Sequence, residues 1–315
     1  MRALRGVVIG ASILTYGLIV LGAFVRATDS GLSCPDWPTC YGHWVPTPGD
    51  IAAMPEIGYT YAQVMSEWVH RLVAGVLLGP LVLLIAFLAF RQRRRDARLP
   101  AIAGVLLLLL LSQGALGGVT VLDRNSPWSV ALHLGNALLV LATLLLLAVR
   151  TGPAVAGSLP RGLGLLVAAT TLVVWLAMLS AAMTTKMGAA LACATWPSCD
   201  GVLVPDLGDP LIRIHFTHRT LAALASLSLL AVAVLARTAP APLRRLAWAA
   251  AAVILVQIGL GALVIVWQVP LFTAVLHMAT GVLVFALLTL LAWRCSRLAP
   301  GNAGESAHDF ALRGA

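Results

Sequence analysis

The sequence predicts an all-α polytopic membrane protein: eight transmembrane helices as two four-helix bundles related by a pseudo-two-fold axis, with both termini cytoplasmic. Three observations predict it. The composition is too apolar for a water-soluble domain, the apolar runs have bilayer-spanning length, and an internal repeat sorts those runs into two groups of four. Of the 315 residues, 60% are hydrophobic and 10% charged, and the mean hydropathy is +0.94. Those values exclude a soluble globular core.

The apolar runs lie at about 6–26, 64–90, 101–121, 127–149, 161–182, 211–236, 243–266 and 270–293, and a spanning helix needs about 20 such residues. Their length makes them helices rather than strands. The first run follows two arginines, as a signal peptide would, but its length and the lack of a clear small-residue cleavage site predict retention.

Orientation follows from the basic residues, because cytoplasmic connections are enriched in Lys and Arg. One set of alternate connections holds fifteen: Arg2, Arg5, Arg91, Arg93, Arg94, Arg95, Arg98, Arg150, Arg161, Arg237, Arg244, Arg245, Arg294, Arg297 and Arg313. The other holds Arg26, Arg124, Lys186 and Arg213, while Arg71 and Arg219 fall inside spans. Both termini are therefore expected in the cytoplasm of a cell-membrane protein. The formal charge of +9 expresses this bias, so the lipid bilayer and not a nucleic acid is the implied partner. The linker RQRRRDAR reads as an anchoring loop beside anionic lipid.

Four of the five cysteines form spaced pairs in the two long outer loops, CPDWPTC (Cys34, Cys40) and CATWPSC (Cys193, Cys199). On an oxidising face such pairs read as disulfides. Free redox-active thiols are the alternative, and zinc is disfavoured because its paired cysteines are spaced more tightly with further ligands nearby. Cys295 reads as an unpaired thiol.

The cysteine loops are also the first sign of duplication, since GLSCPDWPTCYG and ALACATWPSCDG align at an offset of 159 residues. EWVHRLVAG pairs with HFTHRTLAA at an offset of 148, and SQGALGGVTV with VQIGLGALVI and ALHLGNALLV with VLHMATGVLV at 144. Four spans is an even number, so the repeats are parallel. Residues 1–150 and 161–297 form the two bundles, and 298–315 a cytoplasmic tail.

Among seven histidines, His43 and His308 lie outside spans and five lie within. Ionisable side chains in a bilayer are costly enough to suggest function. His70, His133, His218 and His277 fall one per even-numbered span, each roughly 10 Å below the outer surface at 1.5 Å per residue. They are expected to share one layer near the extracytoplasmic face. Two histidines on facing helices of a four-helix unit are a standard way to hold haem iron. Packing, proton relay, quinone contact and copper binding are the alternatives. Gly75, Gly135, Gly281, Ala222 and the glycines of spans 3 and 7 suit either a flat macrocycle or close helix packing.

The halves differ at one telling place. Glu67 stands one turn before His70, and His215 occupies the matching position before His218. Glu67 is a candidate acid or base, or an ion-pair partner of Arg71 four residues on. His215 is a candidate polar neighbour or alternative ligand, with His218 favoured because its alignment to His70 includes the following arginine. Arg71 and Arg219 suit haem propionates or snorkelling. Gln113 and Gln257, matched across the repeat, suit support of the histidines or interhelical bonding.

In their order, VRATDSGLSCPDWPTC, EWVHR, ALHLGNA, FTHR and VLHMATG resemble the haem A synthase family of cytochrome oxidase assembly, over residues 6 to 293. The resemblance implies oxidation of the C8 methyl of haem O to a formyl group by successive hydroxylations. It implies a substrate site at Glu67, His70 and His133 in the first half, with Glu67 catalytic, and a haem b cofactor ligated by His218 and His277 in the second. It further implies an electron donor and a haem O-producing membrane enzyme as partners, with homo-oligomerisation open. The first cysteine pair fits the family; the second pair occurs only in some members, and His215 departs from a one-histidine motif. Two other classes remain in view: a di-haem b-type electron carrier between quinol and an outer acceptor, and an outer-face thiol oxidoreductase.

Overall fold

The computed structural model describes residues 1–54 and 58–299; the tail from residue 300, with His308 and Arg313, lies outside the described residues. The long helices are α1 (Arg2–Ala27), the segment α3 (Tyr61–Leu72) continuing into α4 (Gly79–Arg91), α5 (Leu99–Leu122), α6 (Pro127–Thr151), α7 (Leu163–Lys186), α8 (Pro210–Leu235), α9 (Ala241–Val266) and α10 (Leu271–Cys295). A short helix, α2 (Pro48–Ala52), lies in the first long loop. Among the described residues, eight helices are long and apolar enough to cross a membrane.

Local chemistry sets the helix starts. Pro127 and Pro210 open α6 and α8, where a missing N–H costs nothing. Ser126 and Asp209 accept hydrogen bonds from the first-turn N–H groups of those helices. Thr60 and Gln63 form a reciprocal capping box that starts α3.

Among the described residues, the second span is interrupted by a π-helical turn at Val73–Leu78 between α3 and α4. Pro80 explains it. A proline has no N–H to donate to the carbonyl four residues back, so the ladder upstream widens, and the Gly79 N–H bonds Ala74 O instead. The matching helix of the second half, α8, has Ser228 at that place and runs unbroken.

Helices α1, α3 with α4, α5 and α6 pack in a closed ring, as do α7, α8, α9 and α10. The rings meet through α1 against α10, α6 against α7 and α6 against α10. The first two of these contacts are equivalent under the sequence repeat. The larger apolar core runs through this junction, joining Leu138, Leu141 and Leu145 to Leu229, Phe285 and Leu288. A second core fills only the end of the first ring that carries the N-terminus, from Leu4 and Val8 to Ile85, Leu106 and Leu144. Indole and phenol donors pin the junction across apolar surface: Tyr16 Oη to Ala279 O at 3.0 Å, Trp175 Nε1 to Gly135 O at 3.1 Å and Trp293 Nε1 to Ala142 O at 3.0 Å. Gly135 permits the second contact, since a Cβ there would meet the Trp175 ring at 3.2 Å. Gly281 packs equally tightly on Met178, so both glycines serve helix packing.

At the arginine-rich end, β1 (Val155–Ala156) pairs in parallel with β2 (Leu298–Ala299). Nearby, Asp96 of the RQRRRDAR loop accepts from Arg150 Nε at 3.0 Å and Nη2 at 2.7 Å. Burial pushes the Asp96 carboxyl up, but the Arg98 N–H, Arg150 and Arg297 outweigh it and hold the group below its ordinary value. The resulting stability is present above the unfolded carboxylate pKa of about 3.9 and is lost as pH falls through the lower folded value. Thermal melts of the purified protein should therefore lose a component below about pH 4. Asp96→Asn should remove that component and cost about 1 kcal/mol at pH 7; an unchanged melt at pH 7 would show the pair to be energetically neutral.

Candidate functional site

Both cysteine loops fold back on the helix that follows them. Disulfides Cys34–Cys40 and Cys193–Cys199 close them, with Cα separations of 4.7 and 4.6 Å. Cys295 is the buried free thiol expected from the sequence. In the first half, Arg71 donates to Cys34 O at 2.9 Å, Asp36 O at 2.6 Å and Thr39 O at 2.7 Å, and pairs with Glu67 at 2.5 Å. In the second, Arg219 donates to Cys193 O and Ser198 O, both at 2.8 Å, and to His215 Nε2 at 3.0 Å. The loop positions correspond across the repeat. The arginine after each ligand candidate is thus fixed to its own loop.

Glu67 and His215, the pair that distinguishes the halves in sequence, occupy one structural place. The Glu67 carboxylate accepts from the Cys34 N–H at 2.9 Å and from Ser33 Oγ at 3.0 Å. His215 Nδ1 lies 3.3 Å from the Cys193 N–H. Each residue is 4% exposed. With both ring nitrogens facing protein donors, His215 is poorly placed to ligate a metal.

Above the N-terminal core of the first ring lies a cavity of ≈ 680 Å³, within the range of small-molecule and cofactor sites. His70, His133, Glu67, Arg71 and Gln113 all line it. Its wall includes Ala74, Gly75, Val76 and Leu78 of the π turn, and its roof includes Trp37. Ala182, Lys186 and Met278 of the second ring reach it too. Gly75 and Gly114 have nothing within 4 Å of an added Cβ, leaving the cavity walls smooth there. Elsewhere glycines seat the rings of the site: a Cβ on Gly22 would stand 3.1 Å from His70 Nε2, and one on Gly117 would stand 3.3 Å from His133 Cε1.

The histidines of α6 and α10 share a support that the sequence analysis identified only in part. Gln113 Nε2 lies 3.3 and 3.2 Å from the two ring nitrogens of His133, and Asn136 Nδ2 donates to Gln113 Oε1 at 2.7 Å. In the second half Gln257 Nε2 lies 3.4 Å from His277 Nε2, and the Thr280 hydroxyl donates to Gln257 Oε1. The glutamines therefore both bond between helices and touch the histidines. Asn136 and Thr280 went unread, although each stands three residues after its histidine in the aligned motifs. Gly261 faces His277 as Gly117 faces His133, at 3.0 Å from an added Cβ.

The histidines of the second spans differ. His218 Nδ1 lies 3.1 Å from Ala177 O and 3.1 Å from Ser180 Oγ. Donation from Nδ1 to the carbonyl sets the tautomer and leaves Nε2 as a metal-binding lone pair. Among the described residues, His70 makes no such side-chain bond and faces Gly22 and the cavity.

These features fit a tetrapyrrole. Among the described residues His277 Nδ1 is buried with no partner, a cost of about 1–3 kcal/mol that ligation through that nitrogen would offset. No three His, Cys, Asp or Glu side chains converge on a bare ion among the described residues. Two histidines suffice only where a macrocycle supplies the remaining donors.

Residues 5–289 match the family model COX15-CtaA, described as cytochrome oxidase assembly protein. The Heme A synthase of Shewanella oneidensis is 31% identical over 310 residues, covering 89% of this chain and 92% of its own. That of Symbiobacterium thermophilum is 31% identical, covering 88% and 90%, and that of Methylorubrum populi is 32% identical, covering 94% and 86%. The family match, read with eight membrane-spanning helices, makes the chain a multi-pass membrane protein belonging to the COX15-CtaA family of cytochrome oxidase assembly proteins.

Proposed function

We propose that this chain converts haem O to haem A, oxidising the C8 methyl to a formyl group to supply terminal oxidases. The change withdraws four electrons from one carbon; two successive hydroxylations, each with an external two-electron oxidant, followed by loss of water from the resulting diol account for it. The observation that carries the reading is the unequal anchoring of two matched histidine pairs. His218 is fixed by the Ala177 carbonyl, whereas His70 faces an open cavity large enough for a cofactor-sized ligand.

In this reading His70 and His133 hold the iron of the substrate haem, and residues 1–150 form the substrate half. His218 and His277 hold a resident haem b, and residues 161–297 form the cofactor half. That haem, when bound, supplies electron transfer. Glu67 is the acid–base group on the cavity wall, and its pairing with Arg71 holds it in position. The two halves are related by a pseudo-two-fold axis, the arginine-rich end faces the cytoplasm and the histidines lie near the outer face. An electron donor and the membrane enzyme that makes haem O are the partners.

A di-haem electron carrier would need two equally retained haems, which the loose setting of His70 argues against. Expression in a host that makes haem O, followed by pigment extraction and mass analysis, should give haem A and about one retained haem b per chain. Two permanent haems b with neither haem A nor its hydroxylated precursor would overturn the reading. Glu67→Ala should keep the resident haem b and lose formyl product, while His277→Ala should lose the haem b. Equal haem loss in both variants would contradict the division between the halves.

A further inference from the structure

We propose that Arg26 and Lys186 form a cationic clamp for the two propionates of the haem in the first-half cavity, so that the second half completes the substrate site. The inference rests on reading that cavity as the haem O site. A haem presents two carboxylates on one edge, and their burial in a membrane protein calls for paired cations. Arg71 stands beside the ligand candidate His70 but already donates to three loop carbonyls and pairs with Glu67. Arg26 and Lys186 also line the cavity. Among the described residues, neither side chain makes an ion pair.

Their positions fit the task. Arg26 lies in the last turn of α1 and Lys186 in the last turn of α7. The two helices come from opposite halves, and both side chains reach the same cavity. A cation in a last helical turn also complements the helix dipole, but these two are not a repeated cap. At the offset of 159, Arg26 corresponds to Thr185 and Lys186 to Ala27. The exposed Asp29 is the one further carboxylate besides Glu67 that lines the cavity; it lies near both cations but, among the described residues, forms no direct ion pair with either, so both side chains can meet a ligand with two negative charges.

The test uses the full chain with its second-half haem retained. Haem b and its dimethyl ester, which lacks both propionate charges, are titrated into the first site by Soret absorbance. Wild-type protein should prefer the free acid. Arg26→Met and Lys186→Met should each weaken free-acid binding about tenfold and leave ester binding unchanged, which also reports that the variants are folded. Arg26→Lys and Lys186→Arg should retain most of the preference. Arg71→Met, whose guanidinium serves the loop, should lower thermal stability without removing it. Equal binding of acid and ester by wild type, or parallel loss of both ligands in the Met variants, would overturn the clamp. His133→Ala should abolish binding of both probes. If it leaves both unaffected, the cavity is not the haem site, and the functional reading fails along with the clamp.

Discussion

The structure depends on how a guanidinium inside a membrane span is satisfied. An arginine there is tolerated only where it faces protein or water and finds partners. Arg71 and Arg219 find them in the carbonyls of the cysteine loop that precedes their own helix. The charge that lipid would reject thereby pulls the loop down onto the helix end. Closure by a disulfide six residues apart keeps those carbonyls on one short arc, so a single side chain can reach several. The result in the first half is a roof, including Trp37, over the cavity that His70 and His133 line.

This constraint explains why Glu67 and His215 interchange. Each accepts from the following arginine and faces the N–H of the first cysteine of its loop. The structural task needs only an acceptor near that point. A neutral imidazole meets it in the second half and a carboxylate in the first, so the carboxylate brings something the fold does not require. An acid placed where a histidine would suffice is the difference that points to chemistry in the first half.

Much of this was legible in the sequence because it is periodic or repeated. Run length gave the spans, including a second span that the structure begins at Tyr61, a few residues early. Spacing by four residues exposed the pair Glu67 and Arg71, and repeat register aligned His133 with His277 and Gln113 with Gln257. What stayed hidden depends on contacts between spans. Nothing in VRATD shows that Arg26 lies near Lys186, some 160 residues on, because their proximity arises from how the two rings pack. The roles of Gly135 and Gly281 were open for the same reason, since a small residue fits a macrocycle or a tryptophan equally well until its neighbour is known. The π turn is the exception. Gly79 and Pro80 stood in plain view inside an apolar run, and a proline within a span marks a ladder that must widen or bend.

That turn is a further structural difference between two copies of one design. In the second half α8 is continuous, and His218 is held by the backbone carbonyl of Ala177 on the adjacent α7. In the first half the helix is wound more loosely immediately below His70, and the loosened residues form cavity wall where a regular helix would pack. A site that retains its ligand gains from a ring already held in its binding tautomer, because little ordering remains to be done when the ligand arrives. A site that must accept one haem and release another gains from the opposite: space, a ring without a fixed partner, and walls without side chains at Gly75 and Gly114. Ladder regularity and ring anchoring are independent properties of the two spans, yet both diverge in the same direction. Under the proposed division, exchange in the first half and retention in the second would account for both with one cause.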